Sequence, residues 1–367
     1  MQDRGFADRI TDLQLSFLTL FVIMGGNYLI MPRGVVVLAG RDGWLALLLA
    51  GAVITLAAGS VVRLQLRFPG QTAVSYNRVL LGPVLGRILS LWLLAHFTLA
   101  GSYQVRLLLD SLKLYLLPHT PLEVTLAALL FTSAYAVRHG LNILARLSEV
   151  FFPLVVGFLL VIFLLLQVTA DYRNLLPVAA QGIKPLALAA LSGATLYQGF
   201  GHLVFTTAFL HRPQQAVGAV WRGLALVTGL YAFTYAVAVA VLGPDLLAHL
   251  LYPPLDLTRA LDFPALLFER VEVLMLVVWM LAACLAFSLA FYLVSLGATQ
   301  LLHLEKHDPV VFLLIPVFYF LARLPEDLAA QEALNRLVRV SFVLLTVTYA
   351  VILPVTARLR GRGGSGG

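Results

Sequence analysis

The chain is 367 residues long, 60% hydrophobic and only 12% charged, with a formal net charge of +7. Soluble domains carry about 45–50% apolar and about 25% charged residues, whereas here apolar runs of about 18 residues or more, each able to cross about 30 Å of hydrocarbon, recur from end to end. A multi-pass membrane protein follows, which excludes a soluble enzyme, a nucleic-acid binder and a secreted module stapled by disulfides.

Ten spans are predicted, over about 13–38, 44–66, 85–117, 121–138, 143–169, 185–211, 214–243, 266–304, 308–325 and 332–358. Ahead of the first lie Asp3, Asp8 and Asp12, and its apolar run is too long for the core of a cleavable signal, so it is expected to stay in the protein. Gly25, Gly26 and Asn27 interrupt that span near its middle. The third span carries His96, Tyr103, Arg106 and Asp110, at steps of 7, 3 and 4, on one helical face. The middle of the fifth, Val155, Val156, Gly157 and Phe158, is wholly apolar. Gly199 and Gly201 interrupt the sixth around Phe200. The eighth shows Ser288, Tyr292, Ser295 and Thr299, at steps of 4, 3 and 4, and opens with Glu269, Arg270 and Glu272, where carboxylates favour the positive end of the helix dipole. Cys284, the lone cysteine, lies in the same span and reads as a packing residue.

Each glycine loosens a helix by about 1 kcal/mol, and an opened turn in hydrocarbon is tolerated only where protein or a cavity covers the freed backbone. Interruptions in the first and sixth spans, the first helix of each five-helix half, predict an all-α inverted 5+5 repeat with broken helices 1 and 6, the halves covering about 13–169 and 185–358. The alternative is that these glycines merely allow helices to pack closely. The long connections 170–184 and 244–265 are expected to face outward. The second holds Pro244, Pro253, Pro254 and Pro264 with Asp245, Asp256 and Asp262, and is expected to contain a short surface helix. An even number of spans puts both termini on one side, where 14 of the 25 basic residues fall against 10 on the other, a bias that makes the terminal side cytoplasmic. Residues 361–367 read as a flexible Gly/Ser linker outside the single transmembrane domain, 1–360.

Catalytic motifs, cofactor fingerprints and metal-ligand spacings are missing from the sequence. What remains is polar chemistry at membrane depth, which is costly and marks function. Arg106 and Asp110 also form an i,i+4 pair that can neutralise itself, and His96 has a plain packing alternative. If the first span reopens as a helix after Gly26, the amides of Gly26, Asn27 and Tyr28, with Gly25 beside them, favour a carboxylate. Carbonyls released at Tyr197 and Gln198 suit an ammonium group, and together they make a zwitterion site. Tyr103, Phe200, Phe287 and Ser288 are expected to enclose the ligand. His202, just past the second break, is either a pH-sensitive donor or a packed histidine, and Tyr292 continues the polar stripe.

At this point the connecting segments resemble a known family, the B subunits of spore germinant receptors within the amino acid/polyamine/organocation transporter superfamily. The segments are AGRDGWLALLLAG (39–51), RFPGQTAVSY (67–76), LPHTPLEV (117–124), YAVRHGLNILARLSEVFFP (135–153), NLLPVAAQGIKPL (174–186), GPDLLAHLLYPPLDLTRALDF (243–263) and ERVEVLMLVVWM (269–280). The resemblance implies a ten-helix LeuT-like fold, residence in the inner membrane of the spore, recognition of a small amino acid or similar nutrient, and assembly with an A subunit and a C subunit lipoprotein. Members of the family usually carry an acid where this chain has His202, and proton-coupled relatives in the superfamily place a lysine in the middle of the fifth helix, where this chain has none. The leading expectation is therefore a nutrient-sensing subunit, with an amino acid transporter and a water or ion conduit as alternatives. No cofactor and no nucleic-acid partner are expected.

Overall fold

Prolines and glycines set where each helix of the bundle begins and ends. The computed structural model describes residues 9–179, 182–261 and 270–360; Asp3, Asp8, Asp262, Pro264, Glu269 and the tail 361–367 lie outside the described residues. In chain order the α-helices are α1 (Asp12–Asn27), α2 (Met31–Ala39), α3 (Gly43–Gln65), α4 (Ala73–Leu81), α5 (Pro83–Tyr115), α6 (Leu122–Arg138), α7 (Leu141–Leu166), α8 (Ile183–Ala194), α9 (Leu203–Thr206), α10 (Ala216–Leu242), α11 (Pro244–His249), α12 (Pro253–Thr258), α13 (Val271–Leu301), α14 (Asp308–Arg323), α15 (Leu328–Val347) and α16 (Leu353–Leu359). They line up as ten rods close to the predicted spans: α1 with α2, then α3, α5, α6, α7, α8 with α9, α10, α13, α14, and α15 with α16. Among the described residues, six helical stretches are long and apolar enough to cross a membrane.

The pairing of the rods shows the inverted repeat. A twofold axis relating rods 1–5 to rods 6–10 makes each rod a neighbour of its own equivalent or creates neighbours in matched couples. Rods 1 and 6, 2 and 7, 3 and 8, and 4 and 9 all pack together. Rod 1 packs on rod 7 as rod 6 does on rod 2, rod 1 on rod 5 as rod 6 on rod 10, and rod 8 on rods 4 and 5 as rod 3 does on rods 9 and 10. The start of rod 1 also meets the end of rod 6, where the Ile10 amide donates to the Phe209 carbonyl at 2.9 Å.

The first rod opens one turn later than its glycines suggest. Thr11 and Gln14 form a reciprocal capping box that starts α1, and the helix then runs through Gly25 and Gly26 to Asn27. The Tyr28 amide still donates to the Met24 carbonyl at 3.2 Å. Only residues 28–30 leave the helix, before Pro32 enters the first turn of α2. Proline is the cause: it has no N–H to give the Tyr28 carbonyl, and its ring crowds that oxygen. Gly25 serves close approach instead, since a Cβ there would lie 2.5 Å from the Ala282 carbonyl oxygen on α13. The expected fan of free amides at Gly26, Asn27 and Tyr28 is therefore not formed.

The sixth rod opens differently. Between α8 and α9, Thr195–His202 winds as a 3-10 helix, with Tyr197 at φ −91°, ψ 16°. The predicted interruption lies inside this stretch, but the unwinding begins one turn earlier and tightens the chain rather than releasing it. Gly199 lies against α1, where a Cβ would come 2.8 Å from the Val22 carbonyl oxygen. The segment 244–261 carries two short helices, α11 and α12, where one was expected.

Candidate functional site

The two breaks meet through side chains. Asn27, the last residue of α1, donates its amide to the Leu196 carbonyl at 3.1 Å, and Gln198 donates to the Asn27 side-chain oxygen at 3.5 Å. Behind this junction stands a tyrosine brace. Tyr231 donates to the Ile23 carbonyl at 2.9 Å, Tyr197 donates to the Leu47 carbonyl at 3.2 Å, and the Tyr28 hydroxyl pairs with Thr234 at 3.3 Å. The Tyr231 ring lies 5.6 Å from that of Tyr197 and 6.3 Å from that of Tyr28. Tyr28 and Tyr197 thus fix the breaks from outside the site that they were expected to line.

In front of the junction is a cavity of about 40 Å³ between rods 1, 3, 6 and 8. Its walls are Val22 and Gly26 of α1, His96, Phe97, Ala100, Gly101, Tyr103 and Gln104 of α5, Gln198, Gly199 and His202 of the 3-10 segment, and Ala286, Leu289, Ala290 and Leu293 of α13. Small residues make the space: nothing lies within 4 Å of where a Cβ on Gly26 would sit. None of the walls carries a carboxylate, lysine or arginine. Three buried polar atoms on them have no hydrogen-bond partner, His96 Nδ1, Gln198 Oε1 and His202 Nε2. The rest of each polar group is held in place where a partner exists: His202 Nδ1 pairs with Thr206 Oγ1 at 2.9 Å, and Gln104 is anchored by donation to the Ala283 carbonyl at 2.9 Å. A buried polar atom left unpaired costs about 1–3 kcal/mol. Three residues that carry such atoms line one space, which suits a small polar occupant, and a cavity needs only about 10–15 Å³ to hold one water.

Tyr103, 3% exposed, separates this cavity from a wider basin of about 380 Å³. The basin is lined by Asn27, Arg33, Tyr103, Tyr252 and a polar face of α15, Gln331, Glu332, Asn335 and Arg339, among others. Glu332 accepts from Arg339 at 2.5 Å and from Asn335 at 3.3 Å, while Gln331 Nε2 and Asn335 Oδ1 have no partner. None of these α15 residues was expected in the site, although 331, 332, 335 and 339 recur at helical spacing. α12 follows directly on Tyr252 of the basin wall, and there burial pushes the Asp256 carboxyl above its ordinary range and the Arg259 guanidinium at 3.2 Å pulls it back.

Of the expected ligand-binding residues, Gly26, Tyr103, Gln198 and His202 line one cavity, joined by His96, which was expected only as a polar residue of the third span, and Asn27 lines the basin. The others do not. Gly25 is sealed against Ala282. Phe200 lines a smaller cavity of about 20 Å³ behind His96, packed edge-on to Phe342. Phe287 points into an aromatic cluster with Phe291 and Phe318. Ser288, with Tyr292, Ser295 and Thr299, lies on another face of α13 than the Ala286, Leu289, Ala290 and Leu293 face that meets the cavity; Ser295 and Thr299 donate to carbonyls of their own helix. Arg106 and Asp110 form the self-neutralising pair at 2.9 Å, outside the cavity. Among the described residues no group of three His, Cys, Asp or Glu side chains is placed to hold a metal ion.

With this geometry in view, comparison with known proteins is specific. The chain is similar to the spore germination protein YndE of Bacillus subtilis, with 30% identity over 321 residues, 87% of this chain and 88% of that protein. It is similar to spore germination protein A2 of the same organism, at 24% identity over 81% of this chain and 82% of the relative, and to spore germination protein B2, at 22% identity over 87% and 88%. Among solved structures it resembles Mhp1, a nucleobase-cation-symport-1 family transporter in a closed conformation with bromovinylhydantoin bound, with a TM-score of 0.71 at 12% identity over 97% of this chain and 80% of the transporter. That likeness shows the fold, a LeuT-like inverted 5+5 repeat. The model of the spore germination protein family matches residues 9–331, and the chain belongs to that family.

Proposed function

We propose that this protein is the nutrient-sensing membrane subunit of a spore germinant receptor, and that it takes a small amino acid with an uncharged side chain in the cavity between rods 1, 3, 6 and 8. The observation that carries this reading is that His96, Gln198 and His202, each with a buried polar atom that has no hydrogen-bond partner, line one space. The lack of fixed charge on the walls disfavours an acidic or basic side chain, which would be buried unpaired. The ligand enters through the outer basin, where Arg33 and Glu332 meet its two charges, and passes Tyr103. No bond is made or broken. Binding shifts a conformational equilibrium through differential affinity for two states, and the shift is passed to an A subunit and a C subunit lipoprotein in the spore inner membrane, with both termini cytoplasmic. The wholly apolar middle of α7 supports sensing over coupled transport. The test is thermal-shift titration of the purified full chain with a panel of amino acids: at least one stabilises the protein, and Gly26→Leu, which fills the open side of the cavity, abolishes that shift. Silence across the panel overturns the reading.

A hydrated passage is favoured by a separate observation. Thr346 Oγ1, Asn77 Oδ1, Tyr76 Oη and Gln65 Oε1 are also buried without partners. Thr346 and Tyr349 line the small cavity behind His96, and Tyr349 accepts from Asn77 at 2.7 Å. Osmotic swelling of proteoliposomes that Asn77→Leu suppresses supports that passage; unchanged swelling excludes it.

A further inference from the structure

A pocket of about 480 Å³ lies at the end of the bundle away from the outer basin, between α4, the first turns of α5 and the last turn of α13. It sits at helix ends, the level of lipid headgroups. Arg360 near the carboxyl end of the described chain is tied to the same corner by donation to the Leu80 carbonyl. Gln71, Ser75, Arg78, Gly86, Arg87, Thr299, Gln300 and His303 supply its polar lining, with no carboxylate among the lining residues. Neither Arg78 nor Arg87 belongs to any ion pair among the described residues.

The frame that presents the two arginines is rigid. Gly82, at φ +87°, turns the chain from α4 into α5. At Gly86 the helices touch backbone to backbone, since a Cβ there would come 2.7 Å from the Arg78 Cα and the Asn77 carbonyl oxygen. Thr72, just before α4, donates to Gln300 of α13 at 2.5 Å. Arg78 and Arg87 are therefore carried on two helices locked face to face, at the N-terminal end of a 33-residue helix whose dipole adds positive potential.

An apolar track runs on from this pocket. Val84, Leu85, Ile88 and Leu91 follow one another along the outer face of α5, 68%, 61%, 58% and 59% exposed, and Val79, Leu302 and Leu304 are exposed at the rim. A free anion has no use for such a track, whereas an amphiphile with a phosphate head fits both parts. We propose that this pocket binds the headgroup of an anionic phospholipid, with Arg78 and Arg87 on the phosphate and the acyl chains along α5. Basic pockets between membrane helices are suited to such headgroups, each arginine near the surface strengthening binding about fivefold.

The test uses the full chain, delipidated in neutral detergent and offered phosphatidylglycerol or phosphatidylcholine, with bound lipid counted by native mass spectrometry. Wild type and Arg78→Lys/Arg87→Lys retain phosphatidylglycerol in preference to phosphatidylcholine. Arg78→Gln/Arg87→Gln binds it roughly thirtyfold more weakly, and the control Arg146→Gln/Arg212→Gln binds like wild type. Both arginines are exposed, and an unchanged unfolding midpoint confirms that the variants fold. Equal retention by the glutamine variant and wild type overturns the site. Displacement of the lipid by an equal concentration of inorganic phosphate shows a free-anion site and overturns the lipid assignment.

Discussion

The first and sixth rods break at the same level of the bundle by different chemistry. Rod 1 is stopped by a covalent fact, the missing N–H of Pro32, and α1 beneath it stays intact. Rod 6 is unwound by its surroundings: Gly199 presses on the Val22 carbonyl, Tyr197 is bonded to α3, and the chain tightens to a 3-10 winding over eight residues. What each break contributes to the site differs accordingly. Rod 1 supplies an open glycine face at Gly26, and rod 6 supplies the polar side chains Gln198 and His202. On the proposed function, recognition therefore falls to side-chain atoms, with main chain mostly satisfied by its own helix.

The largest effect is expected where the breaks rely on backbone contact. Gly25→Leu and Gly199→Leu each drive a side chain into a carbonyl, and we expect a loss of about 3 kcal/mol or of folded protein altogether, read as yield and unfolding midpoint in detergent. Gly26→Ala, one residue away, leaves that midpoint unchanged or raises it by up to about 1 kcal/mol. Next comes the bridge between the rods. Asn27→Leu strips the Leu196 carbonyl of its donor and is expected to cost about 1–3 kcal/mol in the same assay. His202→Leu separates stability from recognition: it removes an unpartnered buried nitrogen together with the Nδ1 bond to Thr206, whose hydroxyl still donates to the residue 202 carbonyl, so the unliganded protein holds its midpoint to within about 1 kcal/mol, while affinity for the stabilising amino acid falls about tenfold by calorimetry. The smallest effect belongs to Pro32→Ala, which returns a donor to the Tyr28 carbonyl. Stability changes by less than about 1 kcal/mol, and amide exchange slows over residues 28–31. Equal exchange in both proteins contradicts the role given to Pro32.

Much of the fold was legible in the sequence because hydrocarbon imposes a simple rule: spans must be long, apolar and helical, and irregular backbone needs cover. Ten spans and the identity of the two broken ones follow from run lengths and from glycines in equivalent places. The position of the first break did not follow, because helix propensity points to Gly25 and Gly26, whereas the clash of the Pro32 ring with the carbonyl one turn back decides it. Adjacent glycines have opposite duties here, one sealed against α13 and one open to the cavity, and only the rotation of α1 decides which. The same holds for α13, where the hydroxyl stripe was legible but its orientation was not. Tyr103 and His96 were singled out because a polar group at mid-span is costly wherever it points, and Gln198 and His202 because they flank the break in the sixth span. The α15 face was missed although its spacing was visible, since the expected span begins at 332 and its first turns were not read as a wall of the site.

The central claim is that three buried side-chain atoms, rather than free main-chain amides, hold the ligand between rods 1, 3, 6 and 8. The most direct test is a density map of the full chain saturated with its stabilising amino acid. Ligand density within hydrogen-bond distance of His96, Gln198 and His202 is the predicted result. Density confined to the outer basin, with the inner cavity empty at saturation, contradicts the claim.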